Sequence, residues 1–168
     1  MNARAQRAVA IALVSLAVSN GRAAGQRTDT ALTVTNAEGV ARRFSIADLG
    51  ALPQVELKLL ETDGSPMIVR GPSLRSILTL AGAPAGQMLR GPSMLLVVVA
   101  EGSDGYKVAY TLAELDEQFG ARDGLIAIIE NGKPLPESDG PLRIVVGSES
   151  HRARWVRHLV ALRLVRSG

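Results

Sequence analysis

The chain has no cysteine among its 168 residues. No disulfide can therefore stabilise it, and the fold must depend on packing alone. The absence also removes the thiolate, both as a nucleophile and as a soft metal ligand. A chain of this length is sufficient for one domain with a substantial hydrophobic core.

Aromatic residues and net charge are also scarce. Aromatic side chains make up 3% of the chain, and the 19 basic residues exceed the 16 acidic ones by only three. Those three are Arg4, Arg7 and Arg22, in a segment (1–24) with no acidic residue, so the remainder holds 16 of each sign. A neutral domain with few rings lacks both the general attraction and the stacking surfaces that nucleic-acid binding requires.

The first 24 residues have the layout of a secretory signal peptide. Two arginines precede an apolar run at 8–18, and small residues follow it. The run is too short to span a bilayer, although an uncleaved anchor remains the alternative. No cysteine follows, which excludes a bacterial lipoprotein anchor. We expect a signal peptide at 1–24 and one periplasmic domain at 25–168.

Hydrophobic patterns predict more strands than helices. Ser73 is a candidate N-cap for a short helix that Gly82 ends, and Thr111 with Glu114 forms a capping-box pattern before a second helix. Asn131-Gly132 predicts a hairpin turn. Together the patterns predict an α+β domain with mixed, mainly antiparallel sheets. Strands are predicted at 31–35, 55–60, 66–71, 94–100 (buried on both faces), 106–110, 142–147 and 158–165.

The stretch EGSDGY (101–106) is one candidate binding loop. Asp104 and Tyr106 flank Gly105, a residue that lets the backbone turn sharply and expose an acid and a phenol together. The alternative is an ordinary Asp-Gly turn between strands.

The stretch GSESHRARW (147–155) is the second candidate. Hydroxyl, carboxylate and cationic groups gather there beside the chain's only tryptophan, and such a loop can hydrogen-bond a flat polar heterocycle on several edges. The alternative is a solvated turn whose tryptophan packs on the sheet. The residues concerned are Ser148, Glu149, Ser150, His151, Arg152, Arg154 and Trp155.

Three kinds of catalytic site fit poorly. The GSES sequence at 147–150 lacks the second glycine of a G-x-S-x-G nucleophile elbow. His151 and His158 do not have H-x-x-x-H spacing and have no cysteine partner for a metal. No Walker or dinucleotide-binding glycine loop is present.

The order of these motifs resembles the oxidoreductase molybdopterin-binding domain of the sulfite oxidase family. The resemblance covers roughly residues 40–166 and implies the fold of that family. Its most specific pieces are Asn131-Gly132-Lys133-Pro134-Leu135-Pro136, Gly140-Pro141-Leu142-Arg143 and Arg154-Trp155.

The chain departs from this family where the metal would bind. Catalytically active members have a molybdenum-ligating cysteine after the strand that corresponds to 55–60. Glu61, Thr62 and Asp63 stand there instead, with Thr62 or Asp63 at about the cysteine's place, and a hydroxyl is a poor soft-metal ligand. The departure argues against molybdenum redox catalysis.

Small exported members of similar layout include pterin-binding regulators that act on a membrane-bound signalling enzyme. The resemblance therefore implies a non-catalytic periplasmic domain that senses or carries a pterin, either a plain pterin or molybdopterin without molybdenum. The alternatives are a molybdenum-cofactor-dependent oxidoreductase or its subunit, and an interaction domain with a vestigial pocket.

A pterin offers a guanidine-like edge and a flat ring. Asp104, Glu149 or Glu61 would receive the edge. Trp155, Tyr106 or an arginine plane would cover the ring, and Ser148 and Ser150 would meet its polar atoms.

Overall fold

The computed structural model describes residues 31–120, 124–147 and 152–167. The predicted signal peptide, and with it the division of the chain at residue 24, lies outside the described residues. The helices are α1 (Ile46–Ala51) and α2 (Leu74–Leu80). The strands are β1 (Leu32–Thr35), β2 (Ala41–Phe44), β3 (Gln54–Leu60), β4 (Pro66–Pro72), β5 (Leu96–Gly102), β6 (Lys107–Thr111), β7 (Gly124–Ala127), β8 (Ile129–Glu130), β9 (Lys133–Pro134), β10 (Arg143–Val146) and β11 (Leu159–Arg166).

The described strands form three sheets. A five-stranded sheet has the order β2-β1-β11-β5-β6, in which only β1 and β11 run parallel. An antiparallel four-stranded sheet has the order β3-β4-β8-β9, and β10 pairs with β7 in a separate antiparallel ribbon. The predicted α+β class with mainly antiparallel sheets is confirmed.

The β7–β10 ribbon separates two hydrophobic clusters. Ile144 and Val146 of β10 point into a large cluster with β1, β5, β11 and the helices. Val145 points the opposite way, into a small cluster with Met67 and Val69 of β4. Successive side chains of a strand alternate between faces, so the ribbon contributes to both clusters at once.

The local sequence signals for helix α2 and for the β8–β9 hairpin are confirmed. The Ser73 hydroxyl accepts a hydrogen bond from the Ser76 N–H at 3.1 Å, and Gly82 follows α2 at φ +95°. Asn131 and Gly132 take positive φ values of 48° and 77° between β8 and β9.

Two local predictions are wrong in part. Thr111 and Glu114 form the predicted capping box, with backbone-to-side-chain distances of 2.9 and 3.2 Å. The box opens only a pair of 3₁₀ turns, at 113–115 and 117–119, because the chain turns again at Asp116.

The strand predicted at 94–100 begins at Leu96, since Met94 and Leu95 belong to a 3₁₀ turn. Its burial alternates, with Val97 and Val99 only half-buried, whereas every residue of β10 is buried. No helix in the described ranges is long and apolar enough to cross a membrane.

Candidate functional site

The two candidate loops predicted from the sequence lie side by side. The turn between β5 and β6 carries Asp104, whose Oδ1 accepts the Tyr106 N–H at 2.9 Å. The Tyr106 hydroxyl then donates to the carbonyl oxygen of Ala153 at 2.5 Å. Ala153 lies in the 3₁₀ turn at 152–154, so this bond joins the two loops across 47 positions of sequence.

A small open concavity of about 240 Å³ lies at this junction. A carboxylate, a phenol and two guanidinium groups share its wall with an indole. The volume is below that of typical ligand pockets, which start at about 300 Å³, and suits a small planar head group. The lining residues are Asp104, Tyr106, Arg152, Ala153, Trp155 and Arg157.

Arg152 connects the concavity to the end of β3. Its Nη1 lies 2.7 Å from a carboxylate oxygen of Glu61, and its Nη2 donates to the Leu60 carbonyl at 2.5 Å. Its guanidinium lies over the Trp155 ring, 4.8 Å from the centroid. The candidate residues Glu61, Arg152 and Trp155 thus form one contact series, in which the Glu61 carboxylate is already engaged by a cation.

Trp155 itself belongs to the small cluster. Its side chain is only 8% exposed, and its Nε1–H donates to the Val146 carbonyl at 3.2 Å. Little of the indole surface is therefore accessible to a ligand in the concavity. Tyr106, at 47% exposure, is the aromatic ring with more accessible surface at this site.

Arg154 points away from the concavity and toward β6. Its guanidinium lies 4.4 Å from the Tyr110 centroid, and its Nη2 donates to a Glu114 carboxylate oxygen at 2.8 Å and to the Ala109 carbonyl at 3.2 Å. The Tyr110 hydroxyl donates in turn to the Arg154 carbonyl. These contacts fix the 3₁₀ turn to the five-stranded sheet, and a ligand-binding role for Arg154 stays a prediction.

Thr62 is exposed in the turn between β3 and β4, which two backbone bonds between Glu61, Gly64 and Ser65 close. It is not among the residues that line the concavity. Ser148, Glu149, Ser150 and His151 lie outside the described residues, so their predicted roles stay predictions.

Arg157 lines the concavity and was not among the candidates from the sequence. Its Nε lies 3.3 Å from an Asp139 carboxylate oxygen, and its side chain is 64% exposed. No local pattern distinguishes this arginine from those at 152 and 154. Only the approach of β11 to the β5–β6 turn shows which of the three arginines face the concavity.

A second concavity, of about 640 Å³, lies between α2 and β3. Its lining is mainly aliphatic, with Val55 and Leu57 of β3 facing Leu74 and Leu80 of α2. We refer to it as the apolar groove. The apolar groove is larger than the concavity beside Asp104 and Tyr106, but the polar and charged groups lie at that smaller concavity.

Within the described ranges no three histidine, cysteine, aspartate or glutamate side chains gather where they could hold a metal ion. The side chains at the end of β3 offer oxygen atoms, and the chain has no sulfur ligand from cysteine. This donor set does not match the thiolate preference of a soft metal site.

Neither a family model nor a curated protein sequence matches the chain. Among solved structures, the chain is similar to the sulfane dehydrogenase SoxCD from Paracoccus pantotrophus, with a TM-score of 0.61 and 20% sequence identity. The similarity covers 83% of this chain and 39% of that chain, so the chain spans about two fifths of its length. A likeness at this identity concerns the fold alone, and it confirms the predicted sulfite oxidase-like fold without assigning a ligand.

Proposed function

We propose that the chain is a periplasmic, non-catalytic pterin-binding protein that senses or carries a pterin for a membrane-bound signalling enzyme. The observation that carries the proposal is the meeting of the 101–106 and 152–157 segments around one polar concavity. Each segment by itself is compatible with a plain turn. Their union provides the several kinds of polar group that a flat heterocycle needs on its different edges.

The groups at this concavity fit the edges of a pterin. Oδ1 of Asp104 accepts the Tyr106 N–H, and its Oδ2 has no partner within the described ranges, so it can accept from the guanidine-like edge of a pterin. Arg152 and Arg157 supply N–H donors for the ring oxygen. The exposed ring of Tyr106 gives the heterocycle a stacking surface.

The molybdenum-bearing form of the cofactor fits less well. A thiolate ligand is missing, and the Glu61 carboxylate, the first side chain after β3, is held by Arg152 at 2.7 Å. Oxygen donors engaged in an ion pair are weak candidates for a soft metal. The pterin head is therefore the better-supported part of a molybdopterin-type ligand.

Calorimetric or fluorescence titration of the purified chain with pterin and tetrahydropterin tests the proposal. Asp104→Asn should weaken binding by about ten- to hundredfold, because a hydrogen bond to a charged group contributes about 1.5–3 kcal/mol. Glu38→Gln, at an exposed carboxylate in the β1–β2 turn, is the matched control and should bind like the wild type. Absence of any saturable binding by the wild type would refute the proposal.

Two variants of Tyr106 distinguish a stacking role of its ring from a structural role of its hydroxyl. Tyr106→Phe removes the hydroxyl that donates to Ala153, and Tyr106→Ala also removes the ring. If the ring stacks on the pterin, Tyr106→Ala should weaken binding more than Tyr106→Phe does. Equal effects would mean that the hydroxyl only fixes the loop.

A molybdenum-cofactor-dependent oxidoreductase, or a subunit of one, is the second candidate. The fold likeness to a sulfane dehydrogenase favours it. Elemental analysis of the protein purified from its own cells decides between the two candidates. Stoichiometric molybdenum would establish the second candidate, and a metal-free protein that retains a pterin would support the first.

A further inference from the structure

Strand β3 has one free edge. Among the described strands it pairs only with β4, over all seven residues of 54–60. A strand of this length at the edge of a sheet presents unpaired N–H and C=O groups that another strand can use. Five of its seven side chains are uncharged, so the edge is not closed by a run of like charges.

The register of the sheet shows which backbone groups point outward. Ile68 and Arg70 of β4 use their carbonyls toward β8, which leaves Met67 and Val69 bonding toward β3. Their partners in β3 are therefore turned inward. The residues between those partners, Gln54, Glu56, Lys58 and Leu60, are turned to the free edge. The Leu60 carbonyl supports this assignment, since it accepts from Arg152 outside the sheet.

We propose that this free edge pairs with β3 of a second copy of the chain, antiparallel about a two-fold axis at Leu57. An isologous contact must be self-complementary, because each copy presents the same residues. Only residues whose backbone N–H and C=O groups face the free edge can form hydrogen bonds with the second copy. The charges then select one register, in which Glu56 lies opposite the partner copy's lysine at 58 and Lys58 opposite its glutamate at 56.

The neighbouring registers are electrostatically unfavourable. A shift of the two-fold axis to Glu56 places the two glutamates opposite one another, and a shift to Lys58 does the same for the lysines. Like charges directly opposite across a strand pair are destabilising. The QVELKLL sequence of β3 is thus complementary to itself in a single alignment.

The opposite face of β3 is apolar, and the same pairing would place its side chains beside those of the second copy. Val55, Leu57 and Leu59 alternate with the charged residues, and Val55 is 39% exposed. In the proposed register Leu57 meets its own copy and Val55 meets Leu59. Val55 and Leu57 also line the apolar groove of about 640 Å³, so the second copy would extend the wall of that groove.

Two other edge strands lack this complementarity. The β2 sequence ARRF would bring arginine against arginine in any central antiparallel register, and its Arg42 already donates to the Leu80 carbonyl at 2.6 Å. The β6 sequence KVAYT contains a single charged residue, so no self-pairing register can place opposite charges against one another on it. The second copy therefore fits β3 and not these edges.

Sedimentation velocity on the full-length protein tests the proposal through charge reversal. The wild type should form a dimer with a dissociation constant on the order of micromolar, as for a small interface. Glu56→Lys and Lys58→Glu should each weaken dimerisation by at least about tenfold, because each variant opposes like charges twice. The double variant E56K/K58E exchanges the two charges and should recover the dimer.

Mixing the two single variants gives the most specific result. In an E56K and K58E pair every lysine opposes a glutamate, so the mixture should form a heterodimer that neither variant forms alone. The matched control is Glu38→Lys, an exposed reversal in the β1–β2 turn, which should leave the dimer intact. Circular dichroism confirms that each variant is folded.

Three outcomes would overturn the proposal. One is a wild type that stays monomeric up to roughly 100 µM, well above the expected dissociation constant. In that case the free edge of β3 would be available for a different protein or peptide. The others are a dimer that both single reversals leave unchanged, and folded single variants that fail to associate when mixed.

Discussion

The two hydrophobic clusters differ in what lies within them. The large cluster consists of buried aliphatic side chains with Phe44 and Tyr110, between the five-stranded sheet and the helices. The small cluster, under the four-stranded sheet, packs Trp155 and Met67 around the guanidinium of Arg143. Arg143 is only 4% exposed, 3.8 Å from the Met67 sulfur and 5.5 Å from the Trp155 centroid.

This arginine makes the small cluster dependent on charge as well as volume. Its Nη2 lies 2.5 Å from a Glu130 carboxylate oxygen, and its Nη1 pairs with Asp139. Its buried Nε has no hydrogen-bond partner within the described ranges. The ion pairs attach the β8–β9 hairpin and the loop before β10 to the ribbon. The large cluster needs only apolar surfaces of the right shape, whereas the small one also needs its charges to be matched.

The largest expected effect follows from removing that charge. Arg143→Met keeps much of the volume but leaves the largely buried Glu130 carboxylate without its cation and Asp139 with only the exposed Arg157. We expect it to lower the free energy of unfolding by about 3–5 kcal/mol. Urea denaturation followed by circular dichroism measures the change.

Replacing the Asp139 and Glu130 carboxylates by amides should restore part of the lost free energy of unfolding. The triple variant R143M/D139N/E130Q is expected to be more stable than R143M alone, because no unpaired buried charge remains. The matched comparison in the large cluster is Leu162→Ala, whose loss of about 3 kcal/mol comes from a cavity and should not respond to D139N/E130Q. If the triple variant were no more stable than R143M, volume alone would govern both clusters.

A smaller effect is expected from Trp155→Phe. The exchange keeps an aromatic ring in the small cluster but removes the Nε1–H that donates to the Val146 carbonyl. We expect a loss of about 1–3 kcal/mol, because a buried acceptor is left without its donor. Thermal unfolding would show this as a lower Tm, and an unchanged Tm would mean that the carbonyl finds another partner.

The smallest effect concerns the margin of the large cluster, where Asp116 is 2% exposed beside Leu115. The Gly86 N–H donates to the Asp116 carboxylate at 2.8 Å and is the main cause that lowers the pKa of Asp116. Burial raises this pKa, whereas the Gln118 N–H and the charge of Arg75 lower it further. A carboxyl whose pKa is lower in the folded state stabilises the fold above its unfolded pKa, and this contribution disappears as pH falls through the folded pKa.

Asp116→Asn should therefore cost about 1 kcal/mol at neutral pH, as for one weakened hydrogen bond. The difference from the wild type should shrink as the pH falls below the unfolded pKa of about 4. Urea midpoints measured from pH 7 down to acid would reveal the trend. A difference that stays constant with pH would show that the carboxylate acts only as a neutral acceptor.

Sequence reasoning predicted the elements whose signals are local. Ser73 begins α2 through a bond three residues away, and Asn131-Gly132 turns a hairpin because both positions require positive φ. It failed on burial, since a valine-rich run at 94–100 looks like a strand buried on both faces. The strand in which every residue is buried is β10, because the ribbon that it forms with β7 lies between the two clusters.

The candidate site shows the same difference between what local sequence predicts and what the tertiary structure decides. The sequence alone determined which residue types were available: no cysteine, few rings, and arginines close to the single tryptophan. Only the tertiary structure decided that Tyr106 meets Ala153, that Arg152 meets Glu61 across 91 positions, and that Trp155 is buried. Propensity and periodicity act within a few residues of chain, whereas these contacts depend on how strands far apart in sequence pack around two separate clusters.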